Sequence, residues 1–306
     1  MTIEFPSGVW PAMITPLKED KSIDWDRVDR LTDWYIEAGV AGLFAVGQSG
    51  EMFGLNDDER LALARRVVNR TNGRIPVIAS GTFVPSVEKQ AAFINKMADT
   101  GVQAVTLILG ELAQADDDDT VVQQHIEQLL IRTGSLPLAL YECPEPYHRL
   151  ISPELVTWAA QTNRFYLLKE TSRSVEKVRA KVDAAKNSPL RIFNADATSL
   201  LVSLQAGAKG YCGIAANFYP DLVVWLCEHY ADSPQKAELV QAFLGTADTT
   251  IHHKYPVCAK YYHQCAGIHM LPISRVSQAV LNDYEMRVLN QIATQANHFR
   301  ELLNIS

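Results

Sequence analysis

The sequence has few cysteines, and their spacing matches neither a disulfide framework nor a metal site. No two of them form a CxxC pair, and their number is odd. We therefore expect reduced thiols, no metal and no cofactor. The five thiols are Cys143, Cys212, Cys227, Cys258 and Cys265.

Long apolar runs and an excess of positive charge are also absent. No apolar run approaches the roughly 20 residues that cross a bilayer. The N-terminus lacks the positively charged region and apolar core of a secretory signal. A net charge of −7 argues against nucleic-acid and membrane-surface partners. We expect a cytoplasmic protein that binds a small molecule.

Short apolar runs alternate with amphipathic segments along most of the 306 residues. The runs are rich in β-branched residues, which is typical of strands buried on both faces, and the segments between them have helical patterns. The predicted strands are 9–15, 41–47, 76–81, 104–109, 136–142, 165–171, 191–196 and 210–215. The predicted helices are 24–38, 56–71, 85–100, 118–133, 152–160, 174–186, 198–206 and 219–231.

These units predict a closed parallel (β/α)8 TIM barrel at residues 1–231. A doubly wound sheet is the alternative, but it would need a glycine-rich turn after the first strand, where the sequence reads Thr15-Pro16-Leu17. Strand patterns fade after residue 231, whereas helical patterns continue at 233–250, 255–267 and 284–302. We expect a C-terminal helical extension at 232–306.

Lys169 is the sharpest candidate for chemistry. It follows Phe165-Tyr166-Leu167-Leu168, at the end of a strand that we expect to be buried. Burial disfavours an ammonium, and a neutral amine can attack a ketone to give an iminium that withdraws electrons from the neighbouring carbon. The alternative is a lysine that reaches solvent or pairs with Glu170.

Two further strand ends carry groups that could act with this lysine, since reacting groups gather at this end of a barrel. Tyr141 ends the preceding strand, and its phenol could relay protons, although a packed tyrosine is the alternative. The second strand runs into the turn GQSGE, where backbone N–H groups and the Ser49 hydroxyl could hold a carboxylate, although it could be an ordinary loop.

Several motifs resemble those of the dihydrodipicolinate synthase / N-acetylneuraminate lyase family. They occur in the same order as in that family, over roughly residues 8–270. They are PAMITPL, GQSGE, YECP, LLKETS, NADATSLL and GAKGYCGIAANF. The resemblance implies a barrel with a C-terminal helical extension, assembled as a homotetramer from two dimers. It also implies that Lys169 forms a Schiff base, that Tyr141 relays protons, and that Gln48 and Ser49 bind the carboxylate of a 2-oxo acid.

The sequence departs from the synthases of this family at three places. Pro146 stands where an arginine grips the second substrate, and Gln48-Ser49 replaces a pair of threonines. The loop 109–114 lacks the tyrosine that a neighbouring subunit normally lends. These departures argue against the synthase activity, whereas formation of the Schiff base needs neither the arginine nor the lent tyrosine.

Other polar and aromatic residues are weaker candidates. Cys143 and Cys212 are expected as small wall residues of the site, with Cys212 included among the substrate-binding residues. The acidic run 116–119 is interpreted as a helix cap and a solvated loop. The adjacent histidines 252–253 point to different sides of a helix and cannot both bind one metal ion.

Three tyrosines near the end of the chain are expected in helix packing or subunit contact, namely Tyr255, Tyr261 and Tyr262. His148 and Arg149, just past the YECP segment, could reach the barrel mouth, but we expect them to face solvent.

The sequence thus predicts a class I lyase, either an aldolase or a dehydratase, acting on pyruvate-related 2-oxo acids such as a 2-oxo-3-deoxy sugar acid. Aldol cleavage and dehydration share one iminium–enamine intermediate, so both stay open. Dihydrodipicolinate synthase (4-hydroxy-tetrahydrodipicolinate synthase) is the enzyme alternative. A non-catalytic barrel that binds a sugar acid is the alternative from another class.

Overall fold

Parallel strands form one closed sheet in residues 5–305, the part of the chain that the structure, a computed structural model, describes. The order in the sheet is β1-β8-β7-β6-β5-β4-β3-β2, and a parallel bridge between Ala12 and Phe44 joins its two edges. The prediction of a (β/α)8 barrel is confirmed. The strands are β1 Gly8–Val9, β2 Leu43–Val46, β3 Val77–Ser80, β4 Ala104–Ile108, β5 Leu138–Tyr141, β6 Phe165–Glu170, β7 Arg191–Asn194 and β8 Gly210–Tyr211.

A helix follows each strand, and further helices follow the last βα unit. The predicted C-terminal helical extension is therefore confirmed, while the boundary between residues 231 and 232 stays a prediction. The barrel helices are α1 Trp25–Glu37, α2 Asp57–Thr71, α3 Val87–Ala98, α4 Asp119–Arg132, α5 Pro153–Gln161, α6 Val175–Ala184, α7 Leu200–Gln205 and α8 Pro220–His229. The extension contains α9 Pro234–His252, α10 Val257–Cys265 and α11 Asp283–Leu303.

The inner strands are short and buried on both faces. Every residue of β2, β3, β4 and β5 is buried, because helices cover the outside of the barrel and side chains fill its interior. β1 is shorter than predicted because a proline at position 11 has no N–H to donate to the ladder. The chain beyond it stays attached through the carbonyl of Pro11, which accepts a hydrogen bond from Phe44 N at 2.9 Å.

Glycine at position 210 allows β8 to lie against β1. Its φ is +151°, and a Cβ there would lie 1.8 Å from the carbonyl oxygen of Gly8. Only a residue without a side chain fits so close an approach of two backbones. The seam between the last strand and the first therefore depends on this glycine.

Helix starts follow the local sequence. The Asn56 side chain accepts from Glu59 N at 2.9 Å, and the Glu59 carboxylate accepts from Asn56 N at 3.1 Å, which is a capping box. The Ser152 hydroxyl accepts from Leu155 N at 3.1 Å and precedes a proline at the first helical position. These caps fix where α2 and α5 leave the carboxyl ends of the strands before them.

The C-terminal extension lies over the mouth of the barrel. Lys260 of α10 pairs with Glu51, which follows β2, and Ser274 also donates to that carboxylate. Four residues of the extension line the cavity at the mouth: His252, Tyr255, Pro256 and Val276. No helix in the described part of the chain is both long and apolar enough to cross a membrane.

Candidate active site

A cavity of about 620 Å³ opens at the carboxyl ends of the barrel strands. Its inner part carries the groups singled out in the sequence, namely Gln48, Ser49, Tyr141 and Lys169. Its more exposed lining carries charged and hydrogen-bonding side chains, which are Glu145, His148, Thr171, Ser172, Arg173 and His252, and the buried Asp196 also lines it. This division suits a ligand with a reactive group at the bottom and a polar chain that extends toward the mouth.

Lys169 lies near the end of β6 with 5% of its surface exposed. Its ammonium nitrogen makes no hydrogen bond or ion pair within residues 5–305, and lies 4.4 Å from the ring centroid of Tyr141 and 5.6 Å from that of Phe44. The alternative of a pair with Glu170 does not hold, because Glu170 accepts from Lys181 Nζ at 2.8 Å. A buried amine without a partner is the state that a nucleophilic lysine needs.

Tyr141 ends β5 and is directly opposite Lys169 in the sheet register. Adjacent parallel strands place such partners on the same face, so both side chains lie at the cavity. The Tyr141 hydroxyl lies 3.4 Å from Gln48 Oε1, and its ring contacts Phe44 edge to face. Burial raises the pKa of the Tyr141 phenol well above its ordinary value, so the phenol carries a proton that it can donate.

In the turn after β2, side chains are more available than backbone N–H groups to bind a carboxylate in the cavity. The N–H groups of Gly50 and Glu51 donate to the carbonyls of Gly47 and Gln48 at 3.0 and 2.9 Å. These two amides are thus used within the turn. The groups that the turn offers to the cavity are the Gln48 amide and the Ser49 hydroxyl.

Glu51 closes this turn in a left-handed conformation, with φ +60° and ψ +37°. A non-glycine residue there costs of order 1–3 kcal/mol unless its surroundings fix it. The carboxylate accepts from Lys260 Nζ at 2.5 Å, Ser274 Oγ at 2.7 Å and Arg275 N at 2.6 Å. The C-terminal extension therefore holds the turn that carries Gln48 and Ser49.

The two cysteines named in the sequence lie behind the cavity wall. Cys212 is fully buried and does not line the cavity, which Gly213 and Ile214 line instead. Burial raises the pKa of the Cys212 thiol, and the charge of Lys169 opposes that rise. The Cys143 thiol lies 3.7 Å from Gln48 Oε1, and burial raises its pKa to about 11. Both thiols are therefore protonated at neutral pH.

A buried charged cluster fixes the ends of β5 and β6 from outside the cavity. Lys181 of α6 donates to the carboxylates of Glu142 and Glu170, and all three side chains are almost fully buried. Glu142 also accepts from the N–H of Thr171 at 2.8 Å. Burial raises the pKa of Glu142, and Lys181 opposes that rise. Since Glu142 follows Tyr141 and Glu170 follows Lys169, the cluster holds both strand ends in register.

Tyr255 is the residue of the site that the sequence interpretation missed. It was expected in helix packing or subunit contact, yet it lines the same cavity as Ser49, and its hydroxyl accepts from Asn217 Nδ2 at 3.0 Å. Nothing in the residues around it indicates this, because only the packing of the extension brings it to the cavity that the turn after β2, about 200 positions earlier, also lines. Burial raises the pKa of the Tyr255 phenol.

Adjacent residues after the YECP segment have opposite environments. The side chain of His148 is exposed but lines the cavity, and it lies 2.8 Å from the Thr171 hydroxyl. Arg149 was expected in solvent but is buried away from the cavity, where it donates to the carbonyls of Gln114 and Asp117 at 2.7 Å. Arg149 therefore cannot replace the arginine that the synthases have at the position of Pro146.

Arg173 is the one arginine among the described residues that line the cavity. It follows β6, has a left-handed backbone with φ +56°, and is exposed. Its guanidinium lies 3.5 Å from His252 Nε2, while His252 Nδ1 lies 2.8 Å from the carbonyl of Asp248. No carboxylate in residues 5–305 pairs with this guanidinium.

The residues considered for a metal do not come together. Within the described residues, no group of three or more histidine, cysteine, aspartate or glutamate side chains could hold an ion. Asp118 caps α4 by accepting from Thr120 N at 2.9 Å and Val121 N at 3.3 Å. His253 faces away from its neighbour and pairs with Glu285 at 2.7 Å.

Residues 5–296 match the model of the dihydrodipicolinate synthetase family. A 4-hydroxy-tetrahydrodipicolinate synthase of Cellvibrio japonicus is 28% identical over 276 residues, which cover 88% of this chain and 93% of the relative. A probable 2-dehydro-3-deoxy-D-pentonate aldolase of Escherichia coli is 28% identical over 271 residues, covering 86% of this chain and 88% of the relative.

Solved structures of the same fold cover nearly the whole chain. A monomeric variant of dihydrodipicolinate synthase superposes with a TM-score of 0.87 at 22% identity, covering 95% of this chain and 97% of the other. A prophage protein of the same family from Escherichia coli, in complex with pyruvate, superposes with a TM-score of 0.85 at 21% identity, covering 95% and 98%. At these identities the similarity shows the fold.

Proposed function

The chain belongs to the dihydrodipicolinate synthetase family, and on that premise we propose that it is a Schiff-base-forming lyase of 2-oxo acids. One observation carries the proposal. Lys169 is buried at the base of the cavity, beside a phenol, and without a hydrogen-bond or ionic partner among the described residues. Its relatives are named as a 4-hydroxy-tetrahydrodipicolinate synthase and a probable 2-dehydro-3-deoxy-D-pentonate aldolase.

Lys169 attacks C2 of the 2-oxo acid, and loss of water from the carbinolamine leaves an iminium. The iminium accepts the electron pair of the C3–C4 bond when the C4 hydroxyl loses its proton and an aldehyde departs. Alternatively C3 loses a proton and the C4 hydroxyl departs as water. In the aldol course the enamine takes a proton at C3, and in both courses water then releases the product and restores the amine. Tyr141 enters the reaction with its proton and donates it to the carbinolamine hydroxyl that departs as water, and the phenolate then accepts the proton from the C4 hydroxyl or from C3.

The carboxylate of the substrate binds at Gln48 and Ser49. Both side chains line the cavity beside Tyr141, and the amide and hydroxyl can donate to a carboxylate. This placement puts C2 of a bound 2-oxo acid near Lys169. Cys212 can contribute to substrate binding only by supporting the cavity wall, since its side chain is fully buried.

We assign a 2-oxo-3-deoxy sugar acid as the substrate class. Two observations support it. The outer cavity carries hydrogen-bonding groups that suit a hydroxylated chain, His148 and Thr171 among them. The position that would grip the second substrate of a synthase is Pro146, and the neighbouring Arg149 is buried elsewhere. One relative is named as an aldolase of a 2-dehydro-3-deoxy sugar acid. The homotetramer stays a prediction from the family resemblance.

The second candidate is 4-hydroxy-tetrahydrodipicolinate synthase. Several relatives have that name, and Arg173 could serve as the cation in place of the arginine missing at Pro146. The third is a barrel that binds a sugar acid without turning it over, which the replaced threonine pair and the absent lent tyrosine favour. The retention of Lys169 and Tyr141 at one cavity speaks against it.

Trapping of the imine tests the proposal. Borohydride added with pyruvate, or with a 2-oxo-3-deoxy sugar acid, should reduce the imine and leave one adduct per chain on Lys169, located by peptide mass spectrometry. Lys169→Ala should abolish both the adduct and turnover, while Lys186→Ala, at an exposed lysine outside the cavity, should change neither. Binding of a 2-oxo acid without any adduct would favour the non-catalytic barrel.

A further inference from the structure

His148 is held at the cavity by a hydrogen bond to one of its two ring nitrogens. The residue follows β5, its exposed side chain lines the cavity, and its Nε2 lies 2.8 Å from the Thr171 hydroxyl oxygen. The other nitrogen, Nδ1, has no hydrogen-bond partner within residues 5–305. The steps of the lyase reaction do not use His148, so Nδ1 is available to a ligand.

Thr171 decides which nitrogen of His148 carries a proton. Its hydroxyl oxygen lies 2.7 Å from the carbonyl oxygen of Glu142. A backbone carbonyl only accepts hydrogen bonds, so the single proton of the Thr171 hydroxyl must point to Glu142. The Thr171 oxygen can then only accept from the histidine ring. Nε2 is therefore the ring nitrogen that donates.

The strand ends around Thr171 keep this hydroxyl in place. The Thr171 N–H donates to the Glu142 carboxylate at 2.8 Å, and the same carboxylate accepts from Ile151 N at 3.0 Å and from the buried Lys181. A rotation of the hydroxyl toward His148 would leave two oxygens 2.7 Å apart with no proton between them. The direction of the hydrogen bond thus follows from a fixed part of the barrel.

The surroundings of His148 favour the neutral ring. Partial burial is the largest cause that lowers the pKa of His148 below its ordinary value, and Lys181, Arg173 and Lys177 add to it, while Glu170 opposes them. At neutral pH the ring then has one proton, which is on Nε2. Nδ1 has a lone pair there and can only accept a hydrogen bond.

His252 also lines the cavity but has the opposite arrangement. Its Nδ1 lies 2.8 Å from the carbonyl oxygen of Asp248, so Nδ1 is the nitrogen that donates. Its Nε2 faces the Arg173 guanidinium at 3.5 Å. Of the histidines that line the cavity in the described part of the chain, only His148 leaves an acceptor without a protein partner.

The position of His148 places this acceptor beyond the reacting carbons. Thr171 lies two residues after Lys169, and side chains two residues apart along a strand direction lie on the same face. Both residues line the cavity. His148 contacts Thr171 and is therefore farther out than the amine. A three-carbon acid bonded to Lys169 ends before His148, whereas a longer 2-oxo acid extends toward it.

We propose that His148 is a specificity-determining residue that accepts a hydrogen bond from a hydroxyl on the chain of a 2-oxo-3-deoxy sugar acid. The proposal rests on the proposed function for the identity of the substrate, and it adds the direction of the hydrogen bond. A lone pair binds a hydroxyl, which can donate, and repels an ionised carboxylate, which can only accept. His148 therefore selects a hydroxylated chain over an alkyl chain.

Nitrogen-15 NMR of protein labelled at histidine measures the protonation of each ring nitrogen. Ring nitrogens with and without a proton have well separated chemical shifts, and the signals lost in His148→Asn are those of this ring. At neutral pH we expect a proton on Nε2 and none on Nδ1. A proton on Nδ1, alone or together with one on Nε2, would overturn the proposal.

Two variants separate the acceptor from the contact with Thr171. His148→Gln places an amide near the position of Nε2 and can keep that contact, but it has no acceptor at the position of Nδ1. His148→Asn places an amide oxygen near the position of Nδ1 and loses the contact. His298→Gln is the matched control, at an exposed histidine of α11 outside the cavity. Melting temperatures identify any variant that fails to fold.

Three 2-oxo acids show which part of the ligand His148 contacts. They are pyruvate, 2-oxohexanoate with an alkyl chain, and a 2-oxo-3-deoxy sugar acid of the same six carbons. His148→Gln should weaken binding of the sugar acid by about 2- to 10-fold, the effect of one neutral hydrogen bond, and leave the other two acids unchanged. His148→Asn should retain most of the binding, and His298→Gln all of it.

Two outcomes of these titrations would contradict the role of His148. An equal loss for all three acids would mean that the residue acts on the shape of the cavity. A larger loss in His148→Asn than in His148→Gln would mean that only the contact with Thr171 matters. A wild type that binds the sugar acid no better than 2-oxohexanoate would likewise overturn the proposal.

The Lys169→Met background separates this proposal from the proposed function. That variant cannot form an imine, so calorimetric titration measures non-covalent binding alone. If the wild type forms no imine but His148→Gln still weakens binding of the sugar acid in this background, the lyase proposal fails and the role of His148 stands. If the imine forms and His148→Gln has no effect in this background, the role of His148 fails and the lyase proposal stands.

Discussion

The ammonium nitrogen of Lys260 lies 2.5 Å from a carboxylate oxygen of Glu51, and both side chains are almost fully buried. The pair joins α10 of the extension to the turn that carries Gln48 and Ser49. Burial lowers the pKa of Lys260, and Glu51 opposes that fall. A buried charge without its partner is costly, so the pair makes the geometry of the turn depend on the extension.

Lys260→Met should therefore leave the buried Glu51 carboxylate without its counter-charge and lower the free energy of unfolding by about 3–5 kcal/mol. Urea unfolding followed by circular dichroism measures this change. Lys186→Met is the matched control, because its partner Asp183 is exposed with it, and such pairs contribute about 1 kcal/mol or less. Equal effects of the two substitutions would contradict a structural role for the buried pair.

The barrel and the centre of the site follow from the sequence because both depend on local patterns. Lys169 and Tyr141 end consecutive strands, and consecutive strands of a parallel barrel are neighbours, so their proximity needs no knowledge of the tertiary structure. The caps at Asn56 and Ser152 are likewise set by residues within one turn of the helix.

The parts that could not be predicted depend on contacts between distant segments. Tyr255 and Lys260 have ordinary helical surroundings in the sequence, and only the packing of the extension over the mouth brings Tyr255 to the cavity and Lys260 to the turn after β2. His148 and Arg149 are adjacent, and a single turn of the loop sends one to the cavity and the other into the loop before α4. The hydrophobic periodicity of the sequence does not indicate which of two adjacent loop residues faces the cavity.

Condensation of pyruvate with aspartate semialdehyde should be negligible. By the family resemblance, a synthase grips the carboxylate of its second substrate with an arginine at the position of Pro146, and Arg173 lies on a different loop, after β6. A coupled assay with the reductase that consumes the product measures the activity. Turnover in the ordinary enzyme range of roughly 1–1000 per second would contradict the substrate assignment and favour the synthase, with Arg173 as the residue to test next.

Tyr141→Phe should lower kcat by roughly 10²–10⁴-fold if the hydroxyl relays protons. The ring still packs against Phe44, so the melting temperature should stay close to that of the wild type. Steady-state kinetics with a 2-oxo-3-deoxy sugar acid measure the loss. Tyr166→Phe provides the control, since that residue lies at the opposite end of β6 from Lys169. A loss below about tenfold would mean that Tyr141 serves only as part of the wall.

Arg173→Met should discriminate between substrates by the group at their far end. The guanidinium lines the outer cavity, and its one described hydrogen-bond contact is His252, which is not an anion. A second acidic group on the substrate would therefore find an available bidentate donor there.

We expect Arg173→Met to raise KM about 10- to 100-fold for a 2-oxo-3-deoxy acid with a terminal carboxylate or phosphate. The rise should be much smaller for an acid with a terminal hydroxyl. Arg179→Met, at an exposed arginine of α6 outside the cavity, is the control for the loss of one surface charge. An equal rise for all three substrates would show that Arg173 acts on the shape of the loop and not on the far end of the ligand.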